Sequence, residues 1–301
     1  MKGIILAGGT GSRLGPLTAS VCKQLLPVYD KPLIYYPLTL LLSAKIREIL
    51  VIVTPQDYKH FQRLLQDGSQ WGISITYALQ PKPEGIAQAL ILGDSFIGGE
   101  PVALILGDNL FHGTHLVDIL AHGTSLTEGA LLLAYEVDDP NRYGVVEMDA
   151  LGNPWRLVEK PQHTTSRLAI TGLYFYDGQA PALAHTLTKS ARQEYEITDL
   201  NALYLQQGTL QVHVLERGFA WLDTGTPETL LQAALYVHTL QNRQGVKIGC
   251  VEEEAYRQGF ISQGELRLLA EAVCHNAYGQ YLLRLADYPA SCSAGYHNAC
   301  C

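Results

Sequence analysis

Lys2 to Pro27 read KGIILAGGTGSRLGPLTASVCKQLLP. The stretch opens as an apolar strand and breaks at Gly8 and Gly9. It then presents Thr10, Gly11, Ser12 and Arg13, with Lys23 further along. Glycines without a Cβ let backbone N–H groups converge on an anion, and an arginine adds a bidentate donor suited to phosphate oxygens. The loop is therefore read as a phosphate cradle at the end of the first strand of an α/β fold. A Walker A loop requires Gly, four residues, then Gly-Lys-Ser/Thr, and no window from Gly8 to Lys23 fits it. In a dinucleotide fingerprint Gly9 and Gly11 would supply two glycines, but Leu14 takes the third place and no acidic residue closes the next strand, which argues against an NAD-dependent oxidoreductase. A plain glycine turn accounts for the glycines but not for Arg13 and Lys23.

Outward from that loop, apolar runs alternate with helical patterns. GIILA is followed by a helix expected near Tyr36 to Lys45, EILVIV by a helix near Tyr58 to Leu65, and ISITYAL by a helix near Ile86 to Leu92, before PVALIL ends at Gly107 and Asp108. This is βαβ order, and unbroken apolar strands predict a Rossmann-like, mostly parallel sheet covered by helices on both faces. Such sheets bind ligands beyond the carboxyl ends of their strands, where Gly8 and Asp108 both fall. ALLLAYEV, YGVVEMD, RLVEKP and AITGLYFYD then read as strands that extend the same sheet. After Pro227 the pattern turns helical out to Leu285. The expected division is an α/β portion over residues 1–225, then a helical region 226–288 and a mobile tail 289–301.

Composition sets the class. A chain of 301 residues, 47% hydrophobic and 17% charged, can bury a large core. A formal charge of −8 and the lack of any Lys/Arg cluster argue against nucleic acid as a partner, so phosphate binding must be local. The opening MKGIILAGG is too short and glycine-broken for a signal peptide, and no apolar run reaches a membrane span, so a cytoplasmic protein is expected. Cys22, Cys250, Cys274, Cys292, Cys300 and Cys301 show no Cys-x-x-Cys pair and are read as reduced thiols. His112 and His115 lack a third ligand and are read as structural.

LAGGTGSRL and KQLLP, together with DKPLIYYPL, TPQD, GDN, RYGVVE, EKP, TGLYFYD and WLDTGT in that order, resemble the sugar-1-phosphate nucleotidylyltransferases over roughly Met1 to Leu285. The resemblance is greatest to the bacterial branch that joins dTTP to α-D-glucose 1-phosphate. It implies an enzyme that uses Mg2+, assembles as a homotetramer and serves deoxysugar synthesis, with a nucleotide part at about 1–110 and a sugar part at about 111–225 that walls a sugar pocket. A second nucleotide site at a subunit interface would also be in keeping with it.

The chemistry asks for a cation, because pyrophosphate leaves as a sugar phosphate oxygen attacks the α-phosphorus, and magnesium takes one or two carboxylates plus substrate phosphates. The resemblance assigns these to Asp108 and Asp223. From the residues alone, Asp108 could equally form an Asp-Asn turn, and Asp223 could cap the helix that begins near Thr226 and Pro227. Arg13 and Lys23 would neutralise the triphosphate, and Lys160 would hold the sugar phosphate in line. The attacking oxygen is already anionic, so no general base is expected. Gln80 and Gly85 would meet the base, since a glutamine amide offers a donor and an acceptor to a pyrimidine edge, and Gln24 would meet the ribose. Thymine and uracil share that edge, so partial use of UTP is expected. The sugar side would comprise Tyr143, Gly144, Glu159, Ile170 and Trp221; a bare reading makes Glu159 a strand-end carboxylate paired with Lys160 or Arg156, and Trp221 a core residue. The rival readings are a uridylyltransferase and a catalytically silent nucleotide-sugar-binding regulator.

Overall fold

The structure, a computed structural model, describes residues 1–9 and 11–287. Thr10 and the tail with Cys292, Cys300 and Cys301, for which mobility was expected, lie outside the described residues. The strands are β1 (Lys2–Ala7), β2 (Pro27–Val28), β3 (Lys31–Pro32), β4 (Glu48–Val53), β5 (Ser74–Leu79), β6 (Val102–Leu106), β7 (Asn109–His112), β8 (Ala130–Glu136), β9 (Gly144–Met148), β10 (Pro154–Glu159), β11 (Leu168–Tyr176), β12 (Leu210–Val214) and β13 (Ala220–Asp223). The helices are α1 (Tyr35–Ser43), α2 (Tyr58–Leu65), α3 (Gln88–Leu92), α4 (Asp94–Ile97), α5 (Leu116–Thr124), α6 (Ala180–Thr186), α7 (Ile197–Gln206), α8 (Pro227–Gln244), α9 (Val251–Arg257), α10 (Gln263–Ala272) and α11 (Ala277–Asp287).

Among the described residues nine strands form one mixed sheet in the order β10-β9-β11-β6-β1-β4-β5, with β8 paired to β11 and β12 to β8. The centre is parallel: β1 lies between β4 and β6, and β5 follows β4. Strand β11 runs antiparallel to β6 and joins the parallel centre to the strands of the second half. The unbroken apolar runs have a direct cause. Ile4, Leu50, Ile52 and Leu104 enter one buried cluster, while Ile5, Val51, Val53 and Ile105 enter the cluster on the opposite face. Both faces of each central strand must therefore be apolar.

Element boundaries moved by a few residues, for local reasons. The first helix stops at Ser43, ahead of Lys45, whose φ of 59° cannot continue a helix. The third begins at Gln88 rather than Ile86, because Gly85 sits at φ 103° and the Ala87 N–H donates to the Tyr195 carbonyl (3.3 Å) outside the helix. Strands β7 and β13 form a separate antiparallel ribbon that opposes Asp223 to Asn109 and Trp221 to Phe111. Beyond it, α8 opens with a capping box in which the Thr226 hydroxyl accepts from the Thr229 N–H (3.2 Å). α9 packs on α1, and α10 on α11. No described helix is long and apolar enough to cross a membrane.

Candidate active site

The carboxyl ends of β1, β5 and β6 bring the glycine loop, Gln80 and Asp108 together. Gln80 donates its backbone N–H to the Val53 carbonyl (2.8 Å), and Gly107 donates to the Leu6 carbonyl (2.9 Å). Gly8 must be glycine here, since a Cβ on it would lie 1.8 Å from Gln80 Oε1. Gly9 is exposed with open space beside its Cα, and Gly11, at φ 61°, leads into a single 3-10 turn carrying Ser12 and Arg13, both exposed. Gly85 is equally constrained, because a Cβ would fall 2.3 Å from the Tyr195 carbonyl oxygen.

A cavity of about 260 Å³ opens between this edge and the second half of the sheet. Nine sequence-nominated residues line it: Arg13, Asp108, Tyr143, Gly144, Glu159, Lys160, Ile170, Trp221 and Asp223. Lys23, Gln24, Gln80, Gly85 and the glycines of the loop lie outside its lining. Lys23 nevertheless reaches the cavity through Asp108, its Nζ lying 2.5 Å from Asp108 Oδ2 while its side chain is only 6% exposed. Gln24 is buried, and its Oε1 accepts from the Cys22 thiol (2.8 Å).

The two aspartates meet through the ribbon. Thr224 donates both its N–H (3.2 Å) and its hydroxyl (2.9 Å) to the Asp108 carbonyl, tying the end of β13 to the residue before β7. The helix that follows is capped by Thr226, so the capping alternative for Asp223 fails. Asp108 does face its neighbour, accepting from Asn109 Nδ2 (2.9 Å), but its second oxygen is turned to Lys23. Burial pushes the Asp223 carboxyl up, Arg142 opposes that rise, and nearby Asp108 adds to it. Two carboxylates brought to one cavity, with the cationic side chains of Lys23 and Arg142 beside them, offer hard oxygen donors that suit a divalent cation whose remaining ligands come from substrate. Among the described residues no cluster of three or more His, Cys, Asp or Glu could hold a metal by protein ligands alone.

On the wall formed by the second half of the sheet, Glu159 Oε2 accepts from the Thr198 hydroxyl (2.6 Å), and Oε1 faces Arg192 Nη2 (3.2 Å) and Lys160 Nζ (3.5 Å). Arg156 instead pairs with Glu147. Lys160 holds φ at 41°, an uncommon conformation for a residue with a side chain. Trp221 is both core and wall: its Nε1 donates to Asn109 Oδ1 (2.6 Å), and its ring packs on Tyr143 at 5.1 Å between centroids. Burial, then Asp223, pushes the Tyr143 phenol up to about 12.

Sequence reasoning missed Arg142, Arg192 and Thr198. Arg142 Nη2 lies 3.5 Å from Asp223 Oδ2, with its guanidinium over the Tyr143 ring. The signal for it was present, since it immediately precedes Tyr143 in RYGVVE. Arg192 and Thr198 flank a turn and a helix start without a motif of their own, and only the fold brings them to Glu159.

Residues 2–239 match the family model described as nucleotidyl transferase. Proteins named glucose-1-phosphate thymidylyltransferase are similar along almost the whole chain. The one from Neisseria meningitidis is 55% identical over 285 residues, covering 95% of this chain and 99% of that protein. The one from Mycobacterium tuberculosis is 52% identical over 287 residues, covering 95% and 99%. A crystal structure from Bacillus anthracis, assigned the same activity and solved with sucrose, superposes with a TM-score of 0.73 at 39% identity, covering 78% of this chain and 94% of that one. A UDP-glucose pyrophosphorylase bound to UDP-glucose shares the fold alone, with a TM-score of 0.67 at 22% identity over 79% and 98% of the two chains.

Proposed function

The chain belongs to the nucleotidyl transferase family, and from that premise we propose that it forms dTDP-glucose and pyrophosphate from dTTP and α-D-glucose 1-phosphate. The observation that carries this reading is a single cavity in which Asp108, Asp223, Arg13 and Lys160 converge from four separate stretches of the chain. Relatives more than 50% identical across it bear the name of that activity.

An oxygen of the sugar phosphate bonds to the α-phosphorus of dTTP while the bond from that phosphorus to the bridging oxygen breaks, and pyrophosphate departs with the electron pair. Asp108 and Asp223 would hold Mg2+, which when bound neutralises phosphate charge and polarises the reacting centre. Arg13, on a glycine-led turn, takes charge growing on the leaving pyrophosphate. Lys23 is held by Asp108 on the same side. Lys160, fixed by its unusual backbone beside Glu159, orients the incoming phosphate, while Glu159 and the backbone at Gly144 and Ile170 meet sugar hydroxyls. Trp221 and Tyr143 close the wall. Gln80 and Gly85 face the base, and Gln24 the ribose. Positioning and electrostatics suffice, since the nucleophile needs no deprotonation.

The same proposal includes a homo-oligomer, most simply a tetramer, a cytoplasmic address, and a division near residue 225 between the catalytic portion and the helices. Exposed Leu231 and Leu235, one turn apart on α8, support a contact between copies. The test is pyrophosphate release from α-D-glucose 1-phosphate and Mg2+ with dTTP, UTP, ATP, CTP and GTP offered separately. Strong release with dTTP and weaker release with UTP is expected; silence with all five overturns the proposal.

A further inference from the structure

We infer that Gln88 is a positioning residue: with Glu84 and Lys189 it fixes which way round Gln80 presents its amide, and so selects a pyrimidine whose N3 carries a proton. The inference rests on the reading of Gln80 as the base contact.

The orientation follows from donors that cannot be reversed. The backbone N–H of Glu84 points at one end of the Gln88 amide (2.9 Å), and a backbone N–H only donates, so that end is the oxygen. The other end faces Glu84 Oε2 (3.2 Å), and a carboxylate only accepts, so that end is the NH2 group. Two independent constraints agree. Glu84 is itself held, since its Oε1 accepts from Lys189 Nζ at 2.6 Å. The Gln80 atom 2.7 Å from Gln88 Oε1 must then be a donor, which makes it Nε2. Gln80 Oε1 is thereby turned toward Gly8, and among the described residues it accepts from no donor.

A Gln80 side chain in this orientation offers an acceptor, Oε1, and one remaining N–H. Thymine and uracil present a donor at N3 flanked by carbonyl acceptors, which matches. Cytosine presents an acceptor at N3 beside an amino donor, so it would oppose acceptor to acceptor. The inverted amide would suit cytosine instead, and nothing in Gln80 itself prevents inversion, because its two ends have nearly the same shape. Discrimination against cytosine is therefore lodged in Gln88, Glu84 and Lys189, none of which need touch the nucleotide. Glu84 and Lys189 belong to different segments, the turn before α3 and the stretch after α6, so the lock requires the folded sheet.

The experiment measures kcat/KM for dTTP and for dCTP, with Mg2+ and α-D-glucose 1-phosphate, on the full chain and four variants. Gln88→Leu removes the acceptor that holds Gln80 Nε2. It is expected to lower kcat/KM for dTTP roughly tenfold or more and to narrow the dTTP:dCTP ratio by roughly tenfold to a hundredfold, the range for an unpaired buried polar group. The exchange Glu84→Gln with Gln88→Glu keeps every donor and acceptor in order, because the amide moved to position 84 can donate to the carboxylate moved to position 88 and accept from Lys189, and is expected to restore most of the ratio. A ratio unchanged in Gln88→Leu, with both nucleotides impaired alike, overturns the inference and leaves Gln88 a packing residue. Gln88→Met serves in its place if Gln88→Leu does not fold. Gln80→Leu separates the two levels: if it collapses the ratio while Gln88→Leu does not, only the lock falls. If Gln80→Leu leaves the ratio intact, the base contact is elsewhere and the lock falls with it.

Discussion

Asp108→Asn should cost stability as well as turnover, because it strips the counter-charge from a lysine whose ammonium meets no other carboxylate among the described residues. Lys23 Nζ lies 2.5 Å from Asp108 Oδ2, and the lysine side chain is 6% exposed against 29% for the aspartate. Removing one partner of a fully buried pair costs about 3–5 kcal/mol, since an uncompensated charge is left behind. Asp108 opens onto the cavity, where water can approach the ammonium, so a loss of about 2 kcal/mol is expected here. At about 2–4 °C per kcal/mol for a large domain, that lowers the thermal midpoint by roughly 6 °C. The assay is thermal unfolding followed by circular dichroism, without nucleotide or metal, on Asp108→Asn, Lys23→Met and the double variant. The double variant should regain more than half of the loss, because Met fills the lysine's volume without its charge. An Asp108→Asn protein as stable as the parent, or a double variant no better than Asp108→Asn, would refute the argument from the buried lysine.

Asp223→Asn should behave in the opposite way. Burial and Asp108 already disfavour its charge, so the midpoint should not fall, while turnover drops by about two to three orders of magnitude, comparable to loss of a preorganised electrostatic group; steady-state pyrophosphate release at matched protein concentration checks it. Gly8→Ala places a methyl 1.8 Å from Gln80 Oε1 and 2.9 Å from its Cδ. Overpacking of about 1–3 kcal/mol should appear mainly as a KM for dTTP raised roughly tenfold, with the KM for glucose 1-phosphate little changed. Glu253 is buried, and its carboxyl is held above the usual 4.5 by desolvation, despite Arg257 and the Tyr281 hydroxyl. A raised acid binds its proton more tightly folded than unfolded, so its stabilisation is complete below 4.5 and fades as pH rises through the folded value. The midpoint of Glu253→Gln relative to the parent should therefore climb as pH increases above 4.5, and a difference that stays flat would count against it.

Much of this was legible in the chain because the signals are local. Strands such as EILVIV and VALIL carry both faces in one apolar run, and the Gly8 to Arg13 loop carries the residues of its proposed chemistry side by side. Asp108 and Asp223 are different. Nothing within either neighbourhood pairs them; resemblance nominated both, and the ribbon of β7 and β13 is what brings them together. Arg192 and Glu84 escaped notice for the same reason: each acts through a partner more than 30 residues away, Glu159 and Lys189 respectively. Sequence periodicity reports what a residue does within its own element and is silent about what the fold lays beside it. Trp221 shows the limit from the other side, since reading it as core or as wall was a false choice.

That small ribbon also bears on how the protein comes to life. The main sheet could assemble its parallel centre from the first 106 residues, yet the register Asp223 to Asn109 spans more than a third of the chain. Loop closure over such a separation is slow and late. A nascent or truncated chain can thus complete the Gly8 to Arg13 loop and still lack Asp223 opposite Asn109, so on the proposed reading it would hold only half of the cation site.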